Sequence, residues 1–295
     1  MTNIVVGVDG SAASGQALRL ALREAESRSC GLTALHAWQF TSPAAGWGGM
    51  GLELLPTNLD GLASSEILLA EEIARAHKDV GADSVPVSSV AKAGDPALEL
   101  EKAAVGADLL VVGHRGHGAI LSAVLGSVTS HLLHHAPCPL LIAPRTELGS
   151  DGWQRVVVGL DGSEGSRGAL AVAVELATRH AISLVAVHAW SFPSAPVWPV
   201  GQPWPAESQH LVSLENWLAG EVSEVPEQVT VVPQLEQGTT SSALLRVAGP
   251  QDVLVLGSRG SGGFAELLLG SVASQCAHHA QGAVIVVRTP DHARS

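Results

Sequence analysis

The chain has 295 residues, 46% of them hydrophobic, and a net charge of −12, which gives room for about two domains with sizeable cores. That acidity argues against duplex nucleic acid as a partner, because affinity there comes mainly from Lys and Arg neutralising phosphates. Gly, Asp or Pro cuts every apolar segment short of the ~18 residues a membrane span needs, and Cys30, Cys138 and Cys276 are too far apart and odd in number for a disulfide framework or a zinc pattern.

The N-terminal stretch MTNIVVGVDGS has no basic n-region and no signal core, so a cytoplasmic location is expected. Residues 4–8 form a short buried strand, and Ser11 sits where an N-cap belongs before an amphipathic helix over 13–27. A second strand covers 32–37. Residues 39–58 then read as a loop, with Trp47, Pro56 and glycines at 46, 48, 49 and 51. A helix over 60–80, a strand over 85–91, a short helix over 96–105 and a strand over 109–112 follow. The glycine-rich stretch GHRGHGAILSAVLGS comes next, then a helix over 126–135 and a strand over 140–143.

The stretch PRTELGSDGW is polar and punctuated by Gly and Pro, and marks a boundary between domains at 1–146 and 153–290. The second half repeats the first, with strands near 155–160, 183–189, 229–235, 253–256 and 283–287. Its loop, 191–206, is rich in Pro and carries Trp198 and Trp204. Both loops are either surface connections with Trp packed back on the domain or lids and contact segments. Five short strands alternating with helices predict, in each half, a parallel sheet covered on both faces. Ligands bind such sheets at the C-terminal strand ends, where strand order reverses.

The repeat is explicit in sequence. VVGVDGS at 5–11 returns as VVGLDGS at 157–163, and TALHAW at 33–38 as VAVHAW at 185–190. Gly113, Gly116, Gly126 and Ser127 return as Gly257, Gly260, Gly270 and Ser271, with the same nine-residue gap before the third glycine. Each stretch follows an apolar strand and leads into a helix. Glycines there let backbone amides approach a ligand, and a helix N-terminus offers N–H groups to an anion. The pair of motifs therefore points to a phosphate-bearing nucleotide bound twice. A Cβ at Gly116 or Gly260 is expected to intrude on the phosphate or force the turn off its φ angle.

Asp9 and Asp161 end the first strand of each half, at the switch point. Such a carboxylate either accepts a bond from an adenine amino group or ribose hydroxyl, or caps the following helix. Gly7 and Gly159 stand two residues earlier, on the same face by the period of two, where a glycine often marks close approach of something else. His36 and His188 read as satisfied core or rim histidines. The pairs at 134–135 and 278–279 lie at helix ends, about 100° apart around the helix, and do not readily chelate one metal. His114 and His117 become Ser258 and Ser261 in the second copy, so a shared role cannot rest on imidazole; Arg115 and Arg259 are present in both and are the phosphate candidates. No P-loop lysine, kinase motif set or nucleophile elbow is present, and no general base is evident beside a nucleophile.

These residues resemble the universal stress protein family in its tandem form, over nearly the whole chain. Its signature G-2x-G-9x-G-[ST] is matched in both halves. The resemblance implies two tandem Rossmann-like domains of the adenine nucleotide alpha hydrolase type, each with sheet order 3-2-1-4-5. It implies an ATP site in each half: Asp9 with the backbone of Ala37, and Asp161 with that of Ala189, hold adenine, while the glycine motif holds ribose and phosphates. Around that motif Gly118 and Val128, and Gly262 and Val272, join the candidate contacts. Mg2+ accompanies the nucleotide, and no metal ligand or catalytic residue is assigned. The resemblance further implies dimers, or an intrachain pseudo-dimer, paired through the fifth strands at 140–143 and 283–287. The function expected is ATP-dependent regulation in stress response or growth control through an unidentified protein partner; the alternative is a slow ATPase or nucleotidyl-transfer enzyme on the same fold.

Overall fold

A computed structural model of the chain describes residues 3–38, 58–116, 125–149, 152–191, 207–262 and 268–288. Two compact units divide it, Met1–Ala143 and Pro144–Ser295. In the first unit the elements are β1 (Asn3–Gly7), α1 (Ala12–Arg28), β2 (Gly31–Trp38), α2 (Asn58–Val80), β3 (Val87–Ala93), α3 (Pro96–Ala103), β4 (Leu109–Val112), α4 (Ser127–His135) and β5 (Leu140–Ile142). The second unit repeats them as β6 (Arg155–Gly159), α5 (Glu164–His180), β7 (Ser183–Trp190), α6 (Glu207–Glu221), β8 (Val231–Gln237), α7 (Thr240–Val247), β9 (Val253–Gly257), α8 (Ser271–His279) and β10 (Ala283–Val287).

Each unit holds a five-stranded parallel sheet, ordered β3-β2-β1-β4-β5 in the first and β8-β7-β6-β9-β10 in the second. The first strand is central. Val6 lies between Ala34 of β2 and Val111 of β4, and Val158 between Ala186 of β7 and Val255 of β9. These strands read as continuous apolar runs because both faces are covered: Ile4, Val5, Val6, Leu110 and Val111 have no exposed surface, nor do Val156, Val157 and Val158. Order reverses between β1 and β4, and again between β6 and β9. The crevice of each unit therefore opens at the C-terminal ends of those two strands.

Helix starts follow the local chemistry. Ser11 and Ser163 are extended N-caps whose hydroxyls accept the amides of Ser14 and Ser166. Asp95 caps α3, with Pro96 at the first helical position. Strands β3 and β8 start two residues later than the pattern of apolar residues predicts. Val85 and Val229 are buried, but in tight turns whose amides bond to Ala82 and Pro226 carbonyls. These edge strands are half exposed, so apolar alternation gives little register. The expected loops lie outside the described residues over 39–57 and 192–206. Among the described residues no helix is long and apolar enough to cross a membrane.

Candidate functional site

In each unit the crevice is built on one carboxylate. Asp9 lies in the turn beyond β1, and its Oδ1 accepts the Ser11 amide at 2.9 Å. The Asp9 amide donates to Ser14 Oγ at 3.3 Å, and that hydroxyl donates to the Ser11 carbonyl at 3.0 Å. The second unit reproduces this: Asp161 Oδ1 accepts from Ser163 at 3.0 Å, and the Asp161 amide donates to Ser166 Oγ at 3.4 Å. Ser14 and Ser166, both buried, complete the turn. Sequence reasoning missed them, although a serine three residues after the N-cap was there to be read.

The glycine turn packs directly on this carboxylate. A Cβ at Gly116 would overlap Asp9 Oδ2, and one at Gly260 would stand 2.5 Å from Asp161 Oδ2. The Ser261 amide donates to that same oxygen at 2.7 Å. Neither glycine has a left-handed φ, so the expected φ constraint does not hold, and the aspartate is what a side chain meets first. The aspartate thus also fastens the turn to the central strand.

The other motif glycines serve close packing. A Cβ at Gly113 would lie 2.8 Å from the Ala13 carbonyl carbon in the first turn of α1, and one at Gly257 2.6 Å from that of Gly165 in α5. Gly126 and Gly270 close the turn, donating to the His114 carbonyl at 3.0 Å and the Ser258 carbonyl at 2.7 Å. Each is the N-cap of the next helix with no side-chain cap bond, and Ser127 and Ser271 follow it, exposed. The first amides of α4 and α8 therefore have no capping side chain, the arrangement that takes an anion. Val272, partly buried, packs its side chain on the core cluster of Val157, Leu254 and Cys276. The buried Thr129, another residue missed in the sequence, ties α4 to the turn by donating to the Gly113 carbonyl at 2.7 Å.

The shared face expected of Gly7 with Asp9, and of Gly159 with Asp161, rests on strands, β1 and β6, that stop at the glycines, so the period of two does not extend to the aspartates. A Cβ at Gly7 would meet Leu100 of α3 at 2.9 Å, and one at Gly159 Leu256 at 3.0 Å and Leu244 of α7 at 3.2 Å. Core leucines from a helix, and at Gly159 also from the neighbouring strand β9, are what approach them. Ala37 and Ala189 are half-buried near the ends of β2 and β7, paired with Lys92 and Glu236. Beside them His36 Nδ1 lies 2.7 Å from the Val8 carbonyl and His188 Nδ1 2.8 Å from that of Leu160. Each ring nitrogen donates, which bears out rim histidines with a satisfied side. Arg115 and Arg259 are half-exposed on the turns, and Gly262 is exposed. Gly118 and His117 lie outside the described residues.

Burial raises the Asp161 pKa, but the Ser163 bonds, the Ser261 amide and Ser166 outweigh it and hold the carboxyl below its ordinary value of 3.8. The charged form therefore stabilises the folded unit above about pH 4, and that contribution is lost as pH falls through the lower folded pKa. Thermal unfolding between pH 5 and pH 2.5 should show Asp161→Asn losing less stability than the wild type; equal losses would contradict the assignment.

Fold and site together define a tandem α/β protein of the doubly wound class, with an aspartate-anchored glycine turn at each switch point. The model of the universal stress protein family matches residues 1–144 and 152–288. A universal stress protein of Mycobacterium tuberculosis strain H37Rv is 36% identical, over 97% of this chain and 96% of its own. One from Mycolicibacterium smegmatis is 32% identical over the same shares. The crystal structure of a universal stress protein from Archaeoglobus fulgidus superposes with a TM-score of 0.68, covering 97% of this chain and 98% of its own at 19% identity, a likeness of fold. The chain belongs to the universal stress protein family, with two tandem domains.

Proposed function

We propose that each unit binds one ATP at its switch point, and that occupancy regulates the protein's interactions in stress response or growth control. The carrying observation is the pair of uncapped helix starts, α4 and α8, each at the end of a pinned glycine turn. Amides without a capping side chain at a helix start favour a phosphate there. The ribose and adenine then extend over Asp9 or Asp161 toward Ala37 or Ala189. A carboxylate offers about four lone-pair sites. At Asp161 the Ser163 and Ser261 amides bond one oxygen each, and a ribose hydroxyl or an exocyclic amine is the further donor proposed there. Arg115 and Arg259 are the candidate cations for the phosphate tail. Mg2+ would accompany the triphosphate and neutralise its charge; among the described residues no group of three His, Cys, Asp or Glu is placed to hold a metal.

The same reading includes a cytoplasmic location, a homodimer or an intrachain pseudo-dimer through the fifth strands, and a protein partner that senses occupancy. The chain's own residues bind and orient; the site presents a carboxylate already engaged by amides, which suits holding ATP better than turning it over. Thermal unfolding with and without Mg-ATP tests this. Ligand at a hundredfold excess over Kd should add about 2.7 kcal/mol per site, so the transition should climb steadily with ATP concentration. No shift at millimolar ATP would overturn the reading, and sustained phosphate release would replace it with slow hydrolysis.

A further inference from the structure

Among the described residues the second crevice has an aromatic wall from α6. Trp217 lies over this crevice: its ring carbon Cζ2 stands 3.3 Å from where a Cβ of Gly162 would be. Gly162 follows Asp161 directly and has φ +77°, so it presents its bare face to the indole. The same ring meets His188 edge-on, with centroids 4.6 Å apart at 61°, and His188 is fixed to the Leu160 carbonyl at 2.8 Å. Trp217 is only half-buried, whereas its neighbour Leu218 is fully buried and anchors α6. Arg167 holds Glu221 at 3.0 Å, and the Trp190 and His210 rings meet at 6.0 Å, fixing both ends of that helix. The indole is therefore held in place at the end of β7 with part of its surface open. No Phe, Tyr or Trp occurs in α2, the corresponding helix of the first unit.

We propose that Trp217 is a specificity-determining residue of the second site, an aromatic wall against which a purine ring stacks. This rests on the nucleotide reading above. Phosphates at the start of α8 and a sugar over Asp161 place the base beside Gly162, His188 and Ala189, where the indole stands. Stacking on an aromatic ring rewards a flat heterocycle and is indifferent to the phosphate tail. The second site should thus bind ATP more tightly than the first and depend more on the base.

Calorimetric titration of the full chain with ATP, and separately with inorganic tripolyphosphate, tests this on the wild type, Trp217→Leu and Trp217→Phe. In Trp217→Leu one of the two ATP sites should weaken by roughly 5- to 150-fold, the range for loss of a base–aromatic stack. Trp217→Phe should keep most of the affinity, and tripolyphosphate binding should be the same in all three. Unchanged ATP affinity in Trp217→Leu would overturn the inference alone. Parallel loss of ATP and tripolyphosphate in both variants would also overturn it, by showing a role in folding of the site. A wild type that binds no ATP would overturn the nucleotide reading itself, before any variant is compared.

Discussion

Gly257→Ala should destabilise the second unit by about 3 kcal/mol, the upper end of the usual cost of overpacking. The added Cβ would stand 2.6 Å from both the carbonyl carbon and oxygen of Gly165 and 3.0 Å from its Cα. All three atoms belong to the backbone of α5's first turn. That turn cannot easily give way, because Ser163 caps it and Asp161 Oδ1 holds the Ser163 amide. The relief must come from the end of β9 or from α5 as a whole, and either moves the glycine turn away from the carboxylate. For a unit of this size the loss corresponds to a fall in transition temperature of roughly 6–12 °C. Gly168→Ala, inside the same helix with nothing within 4 Å of its added Cβ, should instead stabilise by about 0.5–1 kcal/mol. Thermal or urea unfolding of the two variants checks the opposite signs. A Gly257→Ala chain as stable as the wild type would show that the strand and helix are not in the close contact described.

Gly260→Ala should remove ATP binding from the second site and leave the first, with Gly116→Ala doing the converse. The affinity lost at the altered site should be at least about tenfold, or about 1.4 kcal/mol. The added Cβ meets the aspartate oxygen that receives the Ser261 amide. Either the carboxylate rotates away or the turn lifts, and both separate the two halves of the crevice. The clash is with the end of a side chain, so the cost to folding should be smaller than at Gly257. The mechanism makes a non-additive prediction: in an Asp161→Ala background the glycine substitution should cost little further stability. A double variant whose losses simply add would place the collision elsewhere.

The parallel strands, the repeat and the aspartates are legible in the residues because each has a strong local signature: buried apolar runs, an Asp-Gly-Ser turn in duplicate and a glycine motif at fixed spacing; the sheet order comes only from the family resemblance. What the glycines do was less so. Gly113 and Gly257 read as openings for a ligand, yet what their missing Cβ atoms admit is the backbone of α1 and α5. The space beside Gly7 and Gly159 is taken by leucines of α3, α7 and β9, which come from positions far along the chain. Sequence spacing marks where a Cβ is intolerable, and only the fold says which neighbour forbids it. Ser14, Ser166 and Thr129 act through one or two local hydrogen bonds each, which leave no periodic trace. Trp217 escaped for a related reason: α6 diverges from α2, so comparison of the repeats offers no counterpart to draw attention to it.

The central claim is a nucleotide site in each half, and the number of ATP molecules held by one chain tests it most directly. Native mass spectrometry of the full chain at saturating Mg-ATP should give two per chain for the wild type, one for Gly116→Ala or Gly260→Ala, and none for the double variant. A wild type that carries no nucleotide, or a double variant that still carries two, would contradict it.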